Sequence, residues 1–398
     1  QKEAIRRFFS CSAMILNGGP GTGKTTVVRG ILQIVRSLFP EAAIQLAAPT
    51  GRAAKRLASL SDNSARTIHS LLKWNLEDNS FVKGPLDPLD CQFLIIDESS
   101  MIDTHLFASL LMALPQDCRL LLIGDEDQLE SVGPGKVFQD LIASGRIPVV
   151  HLERIWRQAE GSGIISLARQ IRDEQTCAWE DGVRFLDLPE TGILNRIVEE
   201  MDPQSDQDRF QVLAPMYKGP AGIEAVNEAL QQVFNPPAAN RKELASGQFV
   251  FREKDKVMLL KNLPEDDVFN GDMGVISRID PRSRVITVDF GGQEVDFSHD
   301  FTDQLTHAWC VSVHKAQGSE YDRVYCIVSA RSSRMLNKKL LYTAISRAKK
   351  ELVLLGDPAL FREKVRLKTR TPRMTTLCQR LQTYVPDPDR PEAVPEAG

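Results

Sequence analysis

Cysteine is scarce and shows no pairing pattern: the 398 residues hold 7, at positions 11, 91, 118, 177, 310, 326 and 378, with no C-x-x-C spacing. An odd count without such spacing argues against a zinc site or a disulfide framework. It argues for a reducing compartment, cytoplasmic and, in a bacterium, close to the nucleoid. Long apolar runs are missing too. Nothing approaches the roughly 20 consecutive apolar residues that cross a bilayer, so no membrane partner is expected. Nor does one sign of charge dominate, since 49 Lys and Arg face 53 Asp and Glu for a net charge of −4. The chain as a whole offers nucleic acid no attraction, so any grip on it must come from local cations and backbone N–H groups. The opening QKEAIRRFFS lacks an initiator Met and the apolar stretch of a signal peptide, and reads as the interior of a longer protein. What is present is ordinary: 42% hydrophobic and 26% charged residues exclude disorder of the whole chain. The length has room for two or three compact units.

From residue 13 to about 145, apolar runs alternate with amphipathic stretches. AMILN (13–17), AIQLAAP (43–49), FLIID (93–97) and RLLLIGD (119–125) read as buried strands. TTVVRGILQIVRSLF (25–39) and DTHLFASLLMAL (103–114) read as helices between them. Continuous apolar strands separated by helices predict a parallel sheet covered on both faces. WNLEDNSFVKGPLDP (74–88) interrupts the pattern with turn residues, as a small hairpin on a loop does. A second α/β region is split. RFQVLAPM (209–216) and a helix near 221–233 come first, and YDRVYCIVSA (321–330), LLYTAIS (340–346) and ELVLLGD (351–357) complete it. Between them, about 248–302 changes to short turn-bounded strands, which predict a small β-barrel inserted into that region. The Pro- and acid-rich end PDPDRPEAVPEAG (386–398) reads as disordered.

The most specific motif is GGPGTGKTT (18–26), which fits G-x-x-x-x-G-K-[ST] at Gly18, Gly23, Lys24 and Thr25, after a strand and at the start of a helix. Glycines let backbone N–H groups converge on an anion, and a helix N-terminus adds positive potential. Gly19, Pro20, Gly21, Thr22, Gly23 and Thr26 are expected to line a nucleotide phosphate. Lys24 is expected to reach the β- and γ-phosphates, and the Thr25 hydroxyl to bind Mg²⁺. FLIIDESS (93–100) ends an apolar strand in Asp97 and Glu98. Asp97 is expected to hold Mg²⁺ through water, and Glu98 to orient and deprotonate the attacking water. Gln128, on the strand exit LLIGDEDQL (121–129), is a candidate γ-phosphate sensor. Together these residues imply a Mg²⁺-dependent ATPase or GTPase, without saying what work it performs.

The ordered set of motifs resembles a superfamily 1 DNA helicase of the RecD-like kind. In sequence order the set runs QKEAI (1–5), GGPGTGKTT, APTGRAAKRL (48–57), ARTIHSLL (65–72), LIIDESSM (94–101), GDEDQLESVGPG (124–135), LERIWRQ (152–158), SVHKAQGSEYDRV (312–324) and YTAISRAKK (342–350), and it spans most of the chain. The resemblance implies an α/β protein of two RecA-like P-loop NTPase domains with nucleotide between them. An SH3-like β insertion would interrupt the second. The first domain would cover 1–155, with a hairpin near 73–89; the second would cover 156–246 and 303–385, and the insertion 247–302. By the same resemblance Gln1 reads the adenine edge, Trp156 stacks on the base, and Arg157 and Arg347 act as arginine fingers on the γ-phosphoryl. Gly318 and Glu320 would lie near the γ-phosphate and the ribose. From the residues alone, Trp156 fits a core position and the two arginines fit surface ion pairs.

The DNA path is implied in the same way. Pro49, Thr50, Gly51 and Arg52 with His69, then His314 and Lys315 from the second domain, would touch the backbone of single-stranded DNA. Each histidine reads equally well as a hydrogen-bonding residue of the fold. The implied activity uses ATP and Mg²⁺ to move 5′→3′ on single-stranded DNA and to open duplex at single-strand/double-strand junctions, in repair or recombination, by a monomeric motor. The 74–88 hairpin would act as the wedge. Two other readings stay open: a DNA-stimulated ATPase that serves as a switch or assembly subunit, and a P-loop enzyme acting on a small molecule or protein. The latter leaves the motifs after residue 300 unexplained.

Overall fold

The apolar runs of the first 150 residues form strands whose side chains alternate between two cores. In the computed structural model, residues 1–75, 78–153, 163–266, 268–367 and 373–384 are described. Six parallel strands lie in the order Arg66–Thr67, Ile44–Ala48, Phe93–Ile96, Arg119–Gly124, Ala13–Asn17 and Val149–His151. Met14, Leu16, Ile95, Leu121 and Ile123 face one core, while Ile15, Leu94, Ile96, Leu120 and Leu122 face the other. A strand buried on both faces has no polar side to show, so each reads as an unbroken apolar run. The two outer strands were not foreseen, because two or three residues carry no periodicity.

Helix Lys24–Leu38 covers the first core through Val27, Val28, Ile31, Leu32 and Val35, the spacing of one helical face. Each of these side chains contributes roughly 1.5–3 kcal/mol on burial. Burial of this face therefore outweighs helix propensity, whose differences among ordinary residues stay under about 1 kcal/mol each. Pro40 follows the C-cap residue Phe39, where the chain cannot continue as a helix. The second core is covered by Ile68–Leu71, Thr104–Met112 and Val137–Ser144, and by a further helix, Leu377–Thr383, whose Leu377 and Leu381 pack against it.

That last helix corrects the domain boundaries expected from sequence. The chain divides into two units, Gln1–Glu160 with Thr371–Gly398, and Gly161–Arg370. The end of 303–385 thus belongs with the first unit, held there by the two leucines. In the second unit, five parallel strands run in the order Cys310–Val311, Phe210–Leu213, Tyr321–Val328, Ala348–Gly356 and Val183–Asp187. LLYTAIS (340–346) lies mostly in the helix Lys338–Ile345. Among the described residues no helix is long and apolar enough to cross a membrane. The expected disordered end, 386–398, lies outside the described residues.

The inserted β module is wider than 247–302. A ribbon of Glu243–Ser246 and Phe249–Arg252 joins a five-stranded antiparallel sheet ordered Glu294–Ser298, Val285–Asp289, Met273–Asp280, Lys256–Leu259 and Leu305–His307. Phe251, Val257, Ile276, Ile286, Val288 and Phe297 form its own core. The chain leaves the module without a loop. His307 pairs antiparallel with Val257, and Cys310 already pairs parallel with Val212 of the α/β sheet.

A buried carboxylate joins the module to the helix Ile223–Phe234. Asp255, fully buried, accepts from Gln231 Nε2 at 2.7 Å, Asn235 Nδ2 at 2.6 Å and the Arg252 N–H at 2.7 Å, with His307 Nε2 at 3.1 Å. A buried charge is tolerated only when satisfied in this way. Asp255→Ala strands several buried donors together and is expected to cost roughly 3–5 kcal/mol. Urea unfolding of the variant measures this; a loss within about 0.5 kcal/mol would show that the network carries no stability.

Candidate active site

The strands of the first unit deliver their functional residues to one edge. Ala47 pairs with Ile96, Ile96 with Leu122, and Asn17 with Gly124. The exits at Pro49, Asp97, Asp125 and Gly18 therefore gather at the carboxyl edge of a parallel sheet, where open α/β sheets bind ligands. Gly21 and Gly23 hold φ of +74° and +88°, and Gly23 caps the helix that starts at Lys24. A Cβ at Gly23 would also collide with the side-chain nitrogen of Gln1. Gln1 thus lies directly on the phosphate loop.

Lys24 extends its ammonium over the loop, donating to the Gly18 carbonyl and, at 3.3 Å, to that of Gly19. The Thr22 hydroxyl donates to the Gly19 carbonyl at 2.8 Å, and the Gly18 N–H to the Gly124 carbonyl at 3.1 Å. These bonds fix the curvature that aims backbone N–H groups at an anion. Pro20, Thr25 and Thr26 belong to the same turn and first helical turn; Thr25 is partly buried and Thr26 exposed.

Burial first, and the neighbouring Glu98 carboxylate second, push the Asp97 carboxyl up to about 6; Lys24, the Glu98 N–H and Arg56 pull the other way. Glu98 sits in the left-handed region at φ +52° and donates its N–H to Asp97 Oδ1 at 2.8 Å. Gln128 is buried, with its carboxamide donating to Asp125 Oδ2 at 3.3 Å. Two residues here were missed from sequence. Arg56 follows Arg52 by one turn of helix Gly51–Ser61, a spacing that would have placed both on one face. Asn17 ties the first strand to the Gln128 exit by accepting the Glu126 N–H at 3.1 Å; its signal was a polar residue ending an apolar strand.

Among the described residues no group of three or more His, Cys, Asp or Glu could hold a metal. A cation at Thr25 and Asp97 would therefore lean on phosphate oxygens, the usual mode of Mg²⁺. The donor set fits. Both oxygens are hard, and an aspartate with a raised pKa is one whose ionised form a nearby cation would stabilise. Bound Mg²⁺ would supply charge opposite the phosphoryl oxygens.

The residues implied to touch DNA fall in two places. In the first unit, the Thr50 hydroxyl caps helix Gly51–Ser61 by accepting the Ala53 N–H at 3.3 Å, with Pro49 and Arg52 partly buried beside it. His69 lies under the short hairpin of Trp74–Asn75 and Ser80–Phe81, its ring 6.1 Å from Trp74 and 5.6 Å from Phe81. Burial lowers its pKa against the pull of Asp103, which keeps the imidazole neutral near pH 7. In the second unit, His314 is exposed, while the Lys315 ammonium, its pKa lowered by burial, donates to Asn270 Oδ1 of the β module.

Gly318 has φ +76°, and Glu320 pairs with Lys349 at 3.6 Å. Arg347 is buried rather than in a surface ion pair. Its guanidinium donates to the Thr343 carbonyl at 3.2 Å, the Ser319 carbonyl at 3.1 Å and Ser346 Oγ at 2.9 Å. Trp156 and Arg157 lie outside the described residues.

A glycine-turned phosphate loop at the carboxyl edge of a parallel sheet, with an aspartate at a nearby strand exit, defines a P-loop NTPase fold of RecA-like type. Comparison with known families narrows this. The AAA domain family matches residues 1–187, the SH3 domain of ATP-dependent RecD-like DNA helicases matches 226–290, and the UvrD-like helicase C-terminal domain matches 307–355. The ATP-dependent RecD2 DNA helicase of Deinococcus radiodurans is 32% identical over 372 residues, 93% of this chain and 50% of that protein. The RecBCD enzyme subunit RecD of Mycolicibacterium smegmatis is 28% identical, covering 96% of this chain and 74% of that one. Among solved structures, the Pif1 helicase of Candida albicans aligns with a TM-score of 0.56 at 19% identity, over 92% of this chain and 94% of that one, a likeness of fold. Across these three segments the chain is similar to RecD-like DNA helicases, and it spans about half the length of the Deinococcus relative.

The sign of the pH effect at Asp97 follows from its position above the ordinary carboxylate value. Ionisation is disfavoured in the fold, so stability without metal falls as pH rises through about 6, while binding of a cation to the carboxylate improves. Mg²⁺-dependent nucleotide affinity is expected to fall roughly tenfold between pH 7 and pH 5, with Asp97→Asn removing that step. Calorimetric titration at several pH values checks it; the same pH step in both proteins would contradict the assignment.

Proposed function

We propose that this chain is an ATP-driven motor that moves 5′→3′ along single-stranded DNA and opens duplex at the junction. The observation that carries the reading is one of placement: the phosphate loop, the Asp97–Glu98 exit and the Pro49–Arg52 helix start all issue from a single sheet edge. A rearrangement driven at the phosphates has a short path to the helix that would hold DNA. Arg52 and Arg56 share that helix, and Arg56 already acts electrostatically on Asp97.

In this reading Lys24 and the loop amides hold the triphosphate, Glu98 orients and deprotonates the attacking water, and Gln128 senses the γ-phosphoryl. Gln1 and Trp156 hold the base, Gly318 and Glu320 lie by the γ-phosphate and ribose, and Arg157 and Arg347 supply cationic charge to the transition state. The Arg347 guanidinium is held for that role by bonds to Thr343, Ser319 and Ser346. Backbone N–H groups and hydroxyls at 49–52, neutral His69, His314 and Lys315 track DNA phosphates without reading sequence. The hairpin that packs Trp74 and Phe81 on His69 serves as the wedge. Mg²⁺, a monomeric state, a cytoplasmic location and a role in repair or recombination belong to the same proposal. The Pif1 structures solved with single-stranded and forked DNA agree with the choice of substrate.

A second reading is a DNA-stimulated ATPase that opens no duplex. Tailed duplexes separate the two. Strand separation from a 5′ tail and not a 3′ tail is expected; ATPase without separation favours the second reading, and opening from 3′ tails alone refutes the polarity. Lys24→Ala is expected to lower turnover at least about a hundredfold with the fold intact, and wild-type turnover in that variant would remove the site.

A further inference from the structure

The chain from Arg373 to Tyr384 carries none of the motifs and lies beyond the last family match, which ends at residue 355. It is nevertheless built onto the loop that follows Gln128. Arg373 Nη2 donates to the Ser131 carbonyl at 2.6 Å, and Nη1 donates to the carbonyls of Gly133 and Gly135, each at 2.7 Å. Nε lies 3.0 Å from Glu130 Oε2. One guanidinium thus satisfies three carbonyls and a carboxylate of a single loop, which only a planar fork of donors can do.

Both sides of this contact are anchored. Behind Arg373, Leu377 and Leu381 pack on the core, and Arg146 donates to the Gln382 carbonyl at 2.6 Å. On the loop's other side, a Cβ at Gly133 would collide with the Asp103 carboxylate, and the Thr104 N–H and hydroxyl donate to the Pro134 carbonyl at 3.0 and 3.1 Å. Asp103 is also the carboxylate that acts on His69. The loop therefore spans from the buried Gln128 carboxamide to the Asp103 carboxylate, whose field reaches His69, and it is held in place from outside by Arg373.

We propose that Arg373 is a positioning residue for ATP turnover, acting through the Glu130–Gly135 loop on Gln128 and on the Asp103 carboxylate. This rests on the reading above of Gln128 as the γ-phosphate sensor and His69 as a DNA contact. The residue touches neither ligand; it fixes the segment that runs from one to the other.

The test uses the full chain with Arg373→Ala and Arg373→Lys. Hydrogen exchange of the 130–136 amides reads the clamp without any activity. Exchange is expected to speed up by at least about tenfold in Arg373→Ala. Turnover with single-stranded DNA reads the consequence: kcat is expected to fall about tenfold, with KM for ATP within about twofold, since the phosphate loop is untouched. Lysine keeps a charge opposite Glu130 but lacks the fork, so it is expected to restore neither readout. Unchanged exchange in Arg373→Ala overturns the proposal, as does a loosened loop with unchanged kcat, or full rescue by lysine. A wild-type chain whose ATPase ignores DNA sinks the motor reading instead, and the exchange result still decides whether Arg373 clamps the loop.

Discussion

Everything in the first unit is arranged around a left-handed turn at Gly23 that hands the chain into a helix beginning at Lys24. The turn concentrates backbone donors where an anion can sit, and the helix adds its positive end. Such a loop is useful only if it is held still. Stillness comes from Val27, Val28, Ile31, Leu32 and Val35 buried beneath the helix, and from the Gly18 N–H bonded across to the neighbouring strand exit. The hydrophobic core thus does geometric work, placing donors to within the tolerance that phosphate chemistry demands.

Charge is managed by the same frame. Asp97 is carried into a partly buried position by its strand, beside Glu98 and within reach of Lys24 and Arg56, so its proton affinity is set by competition between burial and cations. His69 is kept neutral beneath Trp74 and Phe81. In the second unit Lys315 spends its ammonium on Asn270, which ties a residue of the SVHKAQGSE motif to the β module. The module itself is bonded to its host by Asp255, so it is a fixed part of the second unit and not a loose appendage.

Much of this was readable from sequence, for a physical reason. Strands buried on both faces write unbroken apolar runs, so AMILN, FLIID and RLLLIGD announced themselves, and functional residues at strand exits follow directly. The hairpin at 74–88 and the inserted β module were readable from their turn residues and short strands. What escaped depends on contacts made far along the chain. Arg66–Thr67 and Val149–His151 are strands only because a longer neighbour offers an edge. Leu377 and Leu381 look like any amphipathic turn until the first unit's core is there to receive them. Arg373 looks like one more basic residue near a polar terminus, and its worth lies wholly in carbonyls some 240 positions earlier. Arg347 reads as a surface cation yet is buried by its own unit.

One measurement bears most directly on whether the phosphate loop serves a nucleic-acid motor: the rate of ATP hydrolysis by the purified chain, taken with and without an unstructured single strand of DNA. A rate that rises severalfold or more with the strand, whatever its base sequence, is the expected result. An equal rate in its presence and absence would contradict the link between the two ends of that sheet edge, and with it the motor.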